Sequence, residues 1–382
     1  MRLSVAESIK QVAAEQWNGL VSDGNPFLRH EFLYALEQSG CASPATGWHA
    51  RHLLLRDDEA GTLVGAVPLY LKSHSFGEFV FDWAWAEAYA RAGLRYYPKL
   101  VAMTPFSPVT SARLLVAPQC DRATVGQLLI AAARKLADEL GASSLHWLFT
   151  TPEDTALLET QGMMRRTGYQ FHWHNQGYSS FDNFLAGFSA QKRKKIRRER
   201  QHVREAGVTM QVLTGDDISA DLWDRFCEFH HSTIRKHGSS PYLTREFFQL
   251  LGQGLAANIV MVLARRGADY VAAALNLRGG DTLYGRYWGG IDGINSLHFE
   301  TCYYTAIEYC IETGIQRFEG GAQGEHKIAR GFLPRETYSA HWLRHPEFGR
   351  AVADFLVRER NSLEYYLDEL NEHTPFKKED GA

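Results

Sequence analysis

Hydrophobic and polar positions alternate in two strand–turn–strand stretches. His52–Arg56 and Thr62–Leu71 flank a polar turn at residues 57–61, and Ile259–Ala264 and Tyr270–Leu277 flank another at 265–269. Short Gly-containing turns between β-prone runs predict hairpins. Downstream of each hairpin the apolar period lengthens to that of a helix, over 121–140 and again over 297–313. A short apolar run then follows each helix, at 144–149 and at 315–318. Gly141 and Gly314 fall where a glycine closes a helix C-terminus. The order hairpin, helix, strand thus occurs twice, as in a diverged duplication. Chance recurrence of a common α/β pattern is the competing reading. The predicted fold class is α/β (α+β), with two tandem lobes over residues 1–180 and 181–382, each a mixed central sheet flanked by helices.

The first copy carries an insert, residues 72–120, dense in aromatics: Phe76, Phe79, Phe81, Trp83, Trp85, Tyr89, Tyr96, Tyr97 and Phe106. Inserts of this length in compact domains are often functional. Capping supports further helices. Thr151 precedes Pro152, and Thr244 precedes a run holding Phe247, Phe248, Leu250 and Leu251. Residues 219–237 show Leu222, Trp223, Phe226 and Phe229 on one side and stop before Gly238. A last helix is expected over about 350–370, with a frayed tail from 373 to 382.

Composition bounds the class. At 382 residues two domains are the default, and 45% hydrophobic with 22% charged residues is ordinary globular usage. The net charge of −3 gives no general affinity for polyanions, but it is unevenly spread. Seven of the 41 basic residues, and one of the 44 acidic ones, fall within 192–200. Five scattered cysteines without a CxxC pair disfavour a disulfide framework or zinc ribbon and suit a reducing compartment. Glu7 and Glu15 stand where a signal peptide needs an apolar core, and no run of 18 apolar residues occurs. A cytoplasmic protein without a transmembrane segment is expected.

Four constellations are candidates for chemistry. On the 297–313 helix, with Phe299 at zero and 100° per residue, Glu300 falls inside the apolar stripe of Cys310, Tyr303, Ile307, Ile311 and Tyr304. A carboxylate held by burial and a helix N-terminus is a candidate general base, and a structural carboxylate is the alternative. Upstream, alternation puts Tyr284, Arg286 and Trp288 on one strand face, followed by Gly289 and Gly290. An arginine between aromatics suits a carboxylate or phosphate, and a Gly-rich turn before a helix can offer N–H groups to a pyrophosphate. After the last strand, Gly320, Gly321, Glu325, His326, Lys327 and Arg330 crowd one loop. The basic run lies in a helix over 189–206 whose aliphatic residues include Ile196 and Val203, so most of it is solvated. Lys192, Arg193, Lys194, Arg197 and Arg198 are its candidate polyanion ligands. His172 and His174 flank Trp173 but lack a nearby acidic or Cys partner, so no metal site is assigned.

Ser180-Phe-Asp-Asn-Phe-Leu-Ala-Gly-Phe, the Lys192–Arg198 run, Tyr287-Trp-Gly-Gly, Phe318-Glu-Gly-Gly and Lys327 with Arg330-Gly-Phe occur in this order. This order resembles the FemAB-like branch of the GNAT acyltransferase superfamily. Glu78-Phe-Val-Phe-Asp-Trp-Ala-Trp and Tyr96-Tyr-Pro-Lys are similar to its peptidoglycan biosynthesis/recognition subgroup. The resemblance implies tandem GNAT-like lobes and transfer of an acyl or aminoacyl group to an amine. No tightly bound cofactor is implied; acyl-CoA or aminoacyl-tRNA would be the co-substrate, with tRNA as a possible partner. The acceptor would be a small molecule or a cell-wall precursor amine. The chain carries Gly289-Gly-Ile-Asp-Gly where acetyl-CoA enzymes have an Arg/Gln-x-x-Gly-x-Gly/Ala loop, a departure from the usual CoA site. The expected mechanism is direct attack, with Glu300 as base and His326, Lys327 or Glu325 assisting. Arg286, Trp288, Gly289, Gly290, Gly320, Gly321 and Arg330 would hold the donor. Asp82, Trp83, Trp85, Tyr97 and Phe106 of the insert would meet the acceptor. A ligand-recognition protein without chemistry and an RNA-binding accessory protein are the readings from other classes.

Overall fold

In the computed structural model, which describes residues 1–377 apart from 237, 292, 323 and 373, the chain forms two compact units. The first comprises Met1–Gly168 and Glu336–Tyr366; the second comprises Tyr169–Arg335 and the residues from Leu367 on. The expected cut at 180/181 is therefore corrected. The segment after 335 returns to the first unit because its strand pairs there, Tyr338 opposite Thr150 through Leu343 opposite Ser144.

The strands are β1 (Arg2–Ala6), β2 (Trp48–Ala50), β3 (His52–Arg56), β4 (Leu63–Val67), β5 (Leu69–Lys72), β6 (Lys99–Ala102), β7 (Leu115–Val116), β8 (Ser144–Thr150), β9 (Met164–His174), β10 (Val208–Thr214), β11 (Ile259–Arg266), β12 (Asp269–Gly279), β13 (Thr282–Gly290), β14 (Arg317–Glu319) and β15 (Leu333–Leu343). Unit one holds a four-stranded sheet, β1-β3-β4-β7, and a second run β15-β8-β6-β5-β2. Unit two holds β10-β11-β12-β13-β14-β9.

The duplication is visible in the pairing. β5 and β6 are antiparallel, a helix (Arg122–Glu139) follows, and β8 returns parallel to β6. In unit two β12 and β13 are antiparallel, a helix from Leu297 to Glu312 follows, and β14 returns parallel to β13. These are two copies of one strand–strand–helix–strand unit. The aromatic insert is not one long loop. It contains a helix (Trp83–Arg91), β6 and β7, and β6 is the counterpart of β13. The predicted strand 62–71 breaks at Pro68, which cannot donate to a ladder, so β4 and β5 join different sheets.

Unit one is filled by aliphatic side chains such as Leu53, Leu69, Leu100, Leu129 and Leu145 around Trp17 and Trp147. Beside them lies a buried charged group. The Lys99 ammonium meets Glu78 (2.7 Å), Asp82 and the Ser75 hydroxyl (2.7 Å). Tyr96 donates to Asp82 at 2.6 Å, and Lys72 lies 3.5 Å from the centre of the Trp48 ring.

The helix expected over 219–237 spans Ala220–Lys236, and the terminal one spans Pro346–Glu372. Part of the tail is ordered by pairing. Phe376 bridges Phe188 with rings 4.8 Å apart, while the Ser189 N–H donates to the Pro375 carbonyl. The rest of the expected frayed segment, 373 and 378–382, lies outside the described residues. Among the described residues, no helix is long and apolar enough to cross a membrane.

Candidate active site

The site in unit two starts from a divergence of strands. β14 pairs with β13 only from Thr282 to Tyr284, opposite Arg317 to Glu319. β13 then runs on to Gly290, while the chain after Glu319 turns away through Gly320 and Gly321. A cleft of about 250 Å³ occupies the gap. Gly285, Arg286, Tyr287 and Trp288 form one wall, and Gly320 and Gly321 the other. His298, Cys302 and Tyr303 close it from the helix, and His230, Thr233 and Tyr242 form its far end. Four consecutive strand residues line the cleft because β13 bulges. Asn276 opposes Gly285 and Leu275 opposes Tyr287, which leaves Arg286 as the extra residue. The bulge, invisible in the sequence, breaks the strict alternation expected of Tyr284, Arg286 and Trp288. Buried Arg286 donates to Glu319 at 3.1 Å and to its neighbour's carbonyl, Gly285 O, at 2.9 Å. Burial pushes the Glu319 carboxyl up, and the Arg286 and Arg317 charges oppose it.

The loop after β14 forms a 3₁₀ turn, Glu325–Arg330. Lys327 is buried behind the cleft wall and donates to the Gly321 carbonyl at 3.0 Å. Burial first, then the Arg286 charge, lowers its pKa to about 7. The His326 Nε2 lies 3.1 Å from the Tyr303 hydroxyl. Burial drives the Tyr303 phenol up, so it stays protonated; burial, with Arg330 and Lys327 beside it, holds the His326 imidazolium down. The phenol of a cleft-lining tyrosine is thus joined to a neutral imidazole that is itself open to solvent.

The helix carrying Tyr303 is not uniform. Leu297–Phe299 is α-helical, Glu300–Tyr304 is π-helical, and Thr305–Glu312 is α-helical again. Such bulges concentrate at functional sites. Here the bulge divides the faces. His298, Cys302 and Tyr303 meet the cleft, whereas Glu300 meets the basic helix, Ala190–Glu205. Arg200 Nε donates to both Glu300 oxygens at 3.0 and 3.2 Å, and its Nη2 donates to Glu308 at 2.8 Å. Thr305 adds a hydrogen bond to Glu300 at 3.3 Å. Glu300, expected as a general base, is thus placed against Arg200 and not at this cleft. Its carboxylate is buried and its oxygens are engaged by Arg200, and it lines no part of this cleft. Burial raises its pKa against Arg200, which lowers it.

Arg330, expected as a donor ligand, is engaged within the fold. Its guanidinium binds both oxygens of Glu199 at 3.1 and 3.0 Å, donates to the His326 carbonyl at 2.7 Å and stacks 3.4 Å from the Phe299 ring centre. Gly289 and Gly290 sit in the β12–β13 ladder opposite Ala273 and Ala272, not in a phosphate-cradling turn. A Cβ on Gly289 would stand 2.1 Å from the Phe229 carbonyl carbon, so this glycine serves close packing of strand on helix. Glu325 is exposed at the start of the 3₁₀ turn.

Of the acceptor candidates, Asp82 is spent on Lys99 and Tyr96, and Trp85 packs with Tyr89 and Leu356 in unit one. Phe106 is buried against Trp48, Tyr97 bonds Ser75 at 2.8 Å, and only Trp83 is exposed, edge-on to Phe76. Their common physical reason is core formation around the buried lysine. Lys194, Arg197 and Arg198 are exposed, Lys192 and Arg193 half-buried. Arg193, Lys194, Arg197, Arg198, Gln201 and His202 line a surface groove of about 490 Å³. His172 is buried and held neutral by burial and the neighbouring arginines, and no cluster of potential metal ligands occurs among the described residues. Sequence reasoning missed Tyr303, Arg200 and Glu199 as site residues. The available signal was Glu199, the lone acid in the basic run.

The two repeated units set the fold, and the cleft in the β13–β14 split is its candidate site. The chain belongs to the FemAB-like family, described as peptidoglycan biosynthesis/recognition, which matches residues 8–378. Similar solved structures include FemX, at 11% identity and TM-score 0.54, covering 92% of this chain and all of that one. The C-terminal domain of a putative lysylphosphatidylglycerol synthetase from Agrobacterium fabrum aligns at 10% identity and TM-score 0.55, over 92% of this chain and 97% of that one. L-PGS from Bacillus licheniformis aligns at 11% identity and TM-score 0.51, over 88% and 96%. At these identities the structures speak for the fold. No curated protein matches by sequence.

Proposed function

We propose that the unit-two cleft transfers an acyl or aminoacyl group from an activated ester or thioester to an amine, in the cytoplasm. Acyl-CoA and aminoacyl-tRNA are the donor classes considered, and the acceptor is an amine on a cell-wall precursor, in keeping with the family's description. The observation that carries this reading is the Tyr303–His326 pair at the cleft in the β13–β14 split.

The amine nitrogen attacks the donor carbonyl carbon, and the negative oxygen that forms is stabilised by the positive charges of Arg286 and Lys327. When the C–O or C–S bond breaks, Tyr303 gives its proton to the departing oxygen or sulfur. His326 first takes, through solvent, the proton the amine nitrogen sheds, and then reprotonates Tyr303. One proton has moved from nitrogen to the leaving group, and no covalent enzyme intermediate is needed. The exposed basic helix is proposed to hold donor phosphates, and the small cleft volume suits the reactive end of a donor rather than the whole of it.

The test uses purified protein with radiolabelled acetyl-CoA, or with bulk tRNA charged with radiolabelled amino acids, and a lysine-containing muramyl pentapeptide. Label should appear on the peptide, and Tyr303→Phe should slow transfer by about 100-fold while melting normally. Full transfer by Tyr303→Phe would remove the phenol from the reading.

A further inference from the structure

We infer that Glu199, on the basic helix, is a positioning residue for His326 and acts through Arg330. This rests on the reading that His326 passes a proton at the cleft.

Glu199 is buried although its neighbours in the run are charged and mostly solvated. Its carboxylate accepts from Arg330 Nη2 with both oxygens and from the Tyr304 hydroxyl. Arg330 is only 3% exposed, and its other terminal nitrogen is committed to the His326 carbonyl at 2.7 Å. Its planar face is fixed by the Phe299 ring. The chain of contacts therefore runs from the basic helix, through one guanidinium, to the backbone of the residue that meets Tyr303. Every link is a hydrogen bond or a stacked plane, and an arginine has the rigid fork to join three of them.

The next residue makes the matching contact on the other side. Arg200 binds Glu300 at the start of the π-helical segment and Glu308 one α-helical stretch later. Consecutive residues of opposite charge on one helix thus hold the two pieces that carry the phenol and the imidazole. Glu199 secures the turn bearing His326, and Arg200 secures the bulge bearing Tyr303. A helix whose purpose was only to show positive charge would have no use for a buried acid at this position.

Titratable and charged groups around His326 are Tyr303 and His298 from the bulged helix, Lys327 and Arg330 from its own turn, and Glu199 behind Arg330. Removing the Glu199 charge leaves the Arg330 charge uncompensated, so the imidazolium is disfavoured further and the His326 titration moves to lower pH. Removing Arg330 as well reverses the direction.

The experiment is a histidine-labelled NMR titration of the full chain, with the His326 signal assigned by its loss in His326→Gln. It needs no substrate, so it gives a result even if no donor is turned over, in which case the functional reading fails by itself. Glu199→Gln should lower the His326 midpoint by about half a pH unit or more. Should that variant not fold, Glu199→Gln with Arg330→Met removes both charges, keeps the volume, and should raise the midpoint above that of wild type. In transfer assays Glu199→Gln should lose kcat at unchanged KM and shift the pH profile with the NMR midpoint, and Glu199→Asp should restore part of the rate. A His326 titration unmoved in both the single and the double variant overturns the inference and leaves Glu199 a structural ion pair.

Discussion

Lys327 shows how one side chain carries both chemistry and a stability signature. Its ammonium is buried behind Gly321 with Arg286 nearby, so folding lowers its pKa to about 7. In the unfolded chain a lysine keeps its proton to about pH 10.4. Between those values the unfolded state binds more protons than the folded one, so this residue's contribution to stability rises with pH across that window. Below pH 7 the folded protein bears the full cost of a buried charge. Lys327→Met is expected to raise the melting temperature at pH 6 by a few degrees and to lose much of that advantage by pH 10. Calorimetry of both proteins across the range checks this. An advantage that grows toward pH 10 would assign the lysine a different environment. At the same scale, Arg286, His326 and Lys327 could be singled out from residue type and the density of glycine around them. Tyr303 could not, because in the sequence it is one apolar-stripe aromatic among several, and only the fold brings it to the cleft with its hydroxyl against His326.

Elements decide which of those residues meet. The hairpins, the long helices and their capping residues followed from periodicity: Thr244 does accept from the Phe247 N–H, and Gly141 and Gly314 do take positive φ. Two irregularities were hidden, because a β-bulge and a π-helical segment each add one residue without changing composition. The bulge at Arg286 presents four successive strand residues to the cleft. The π-helical segment turns Glu300 toward Arg200, although a uniform helix at 100° per residue placed it in the apolar stripe. Glu300→Gln should therefore cost about 1–3 kcal/mol of stability, through a weakened buried ion pair, and change kcat/KM less than tenfold. Denaturant melts and transfer kinetics on the same preparation test both numbers. Gly289→Ala probes the strand instead. With a methyl group 2.1 Å from helix backbone, the helix and β13 must separate, and a loss of about 3 kcal/mol or more is expected. A variant as stable as the parent would show that the close approach is not required.

For the whole molecule, the order of motifs was informative while the boundary was not. The recurring hairpin, helix and strand pointed to tandem units, and the parallel returns of β8 to β6 and of β14 to β13 bear that out. The crossing of the chain back into unit one at residue 336 had no local signal, since β15 reads like any other strand until its partner is known. The insert is the counterpart case. Its aromatics suggested a ligand wall, but several of them pack around Lys99, its two carboxylates and the terminal helix.

The most direct measurement is single-turnover transfer of label from charged tRNA or acetyl-CoA to the muramyl peptide by wild type, Tyr303→Phe, His326→Gln and Glu300→Gln side by side. The account predicts losses of about 100-fold for the first two variants and of less than tenfold for the third. A dead Glu300→Gln beside fully active Tyr303→Phe and His326→Gln would contradict it.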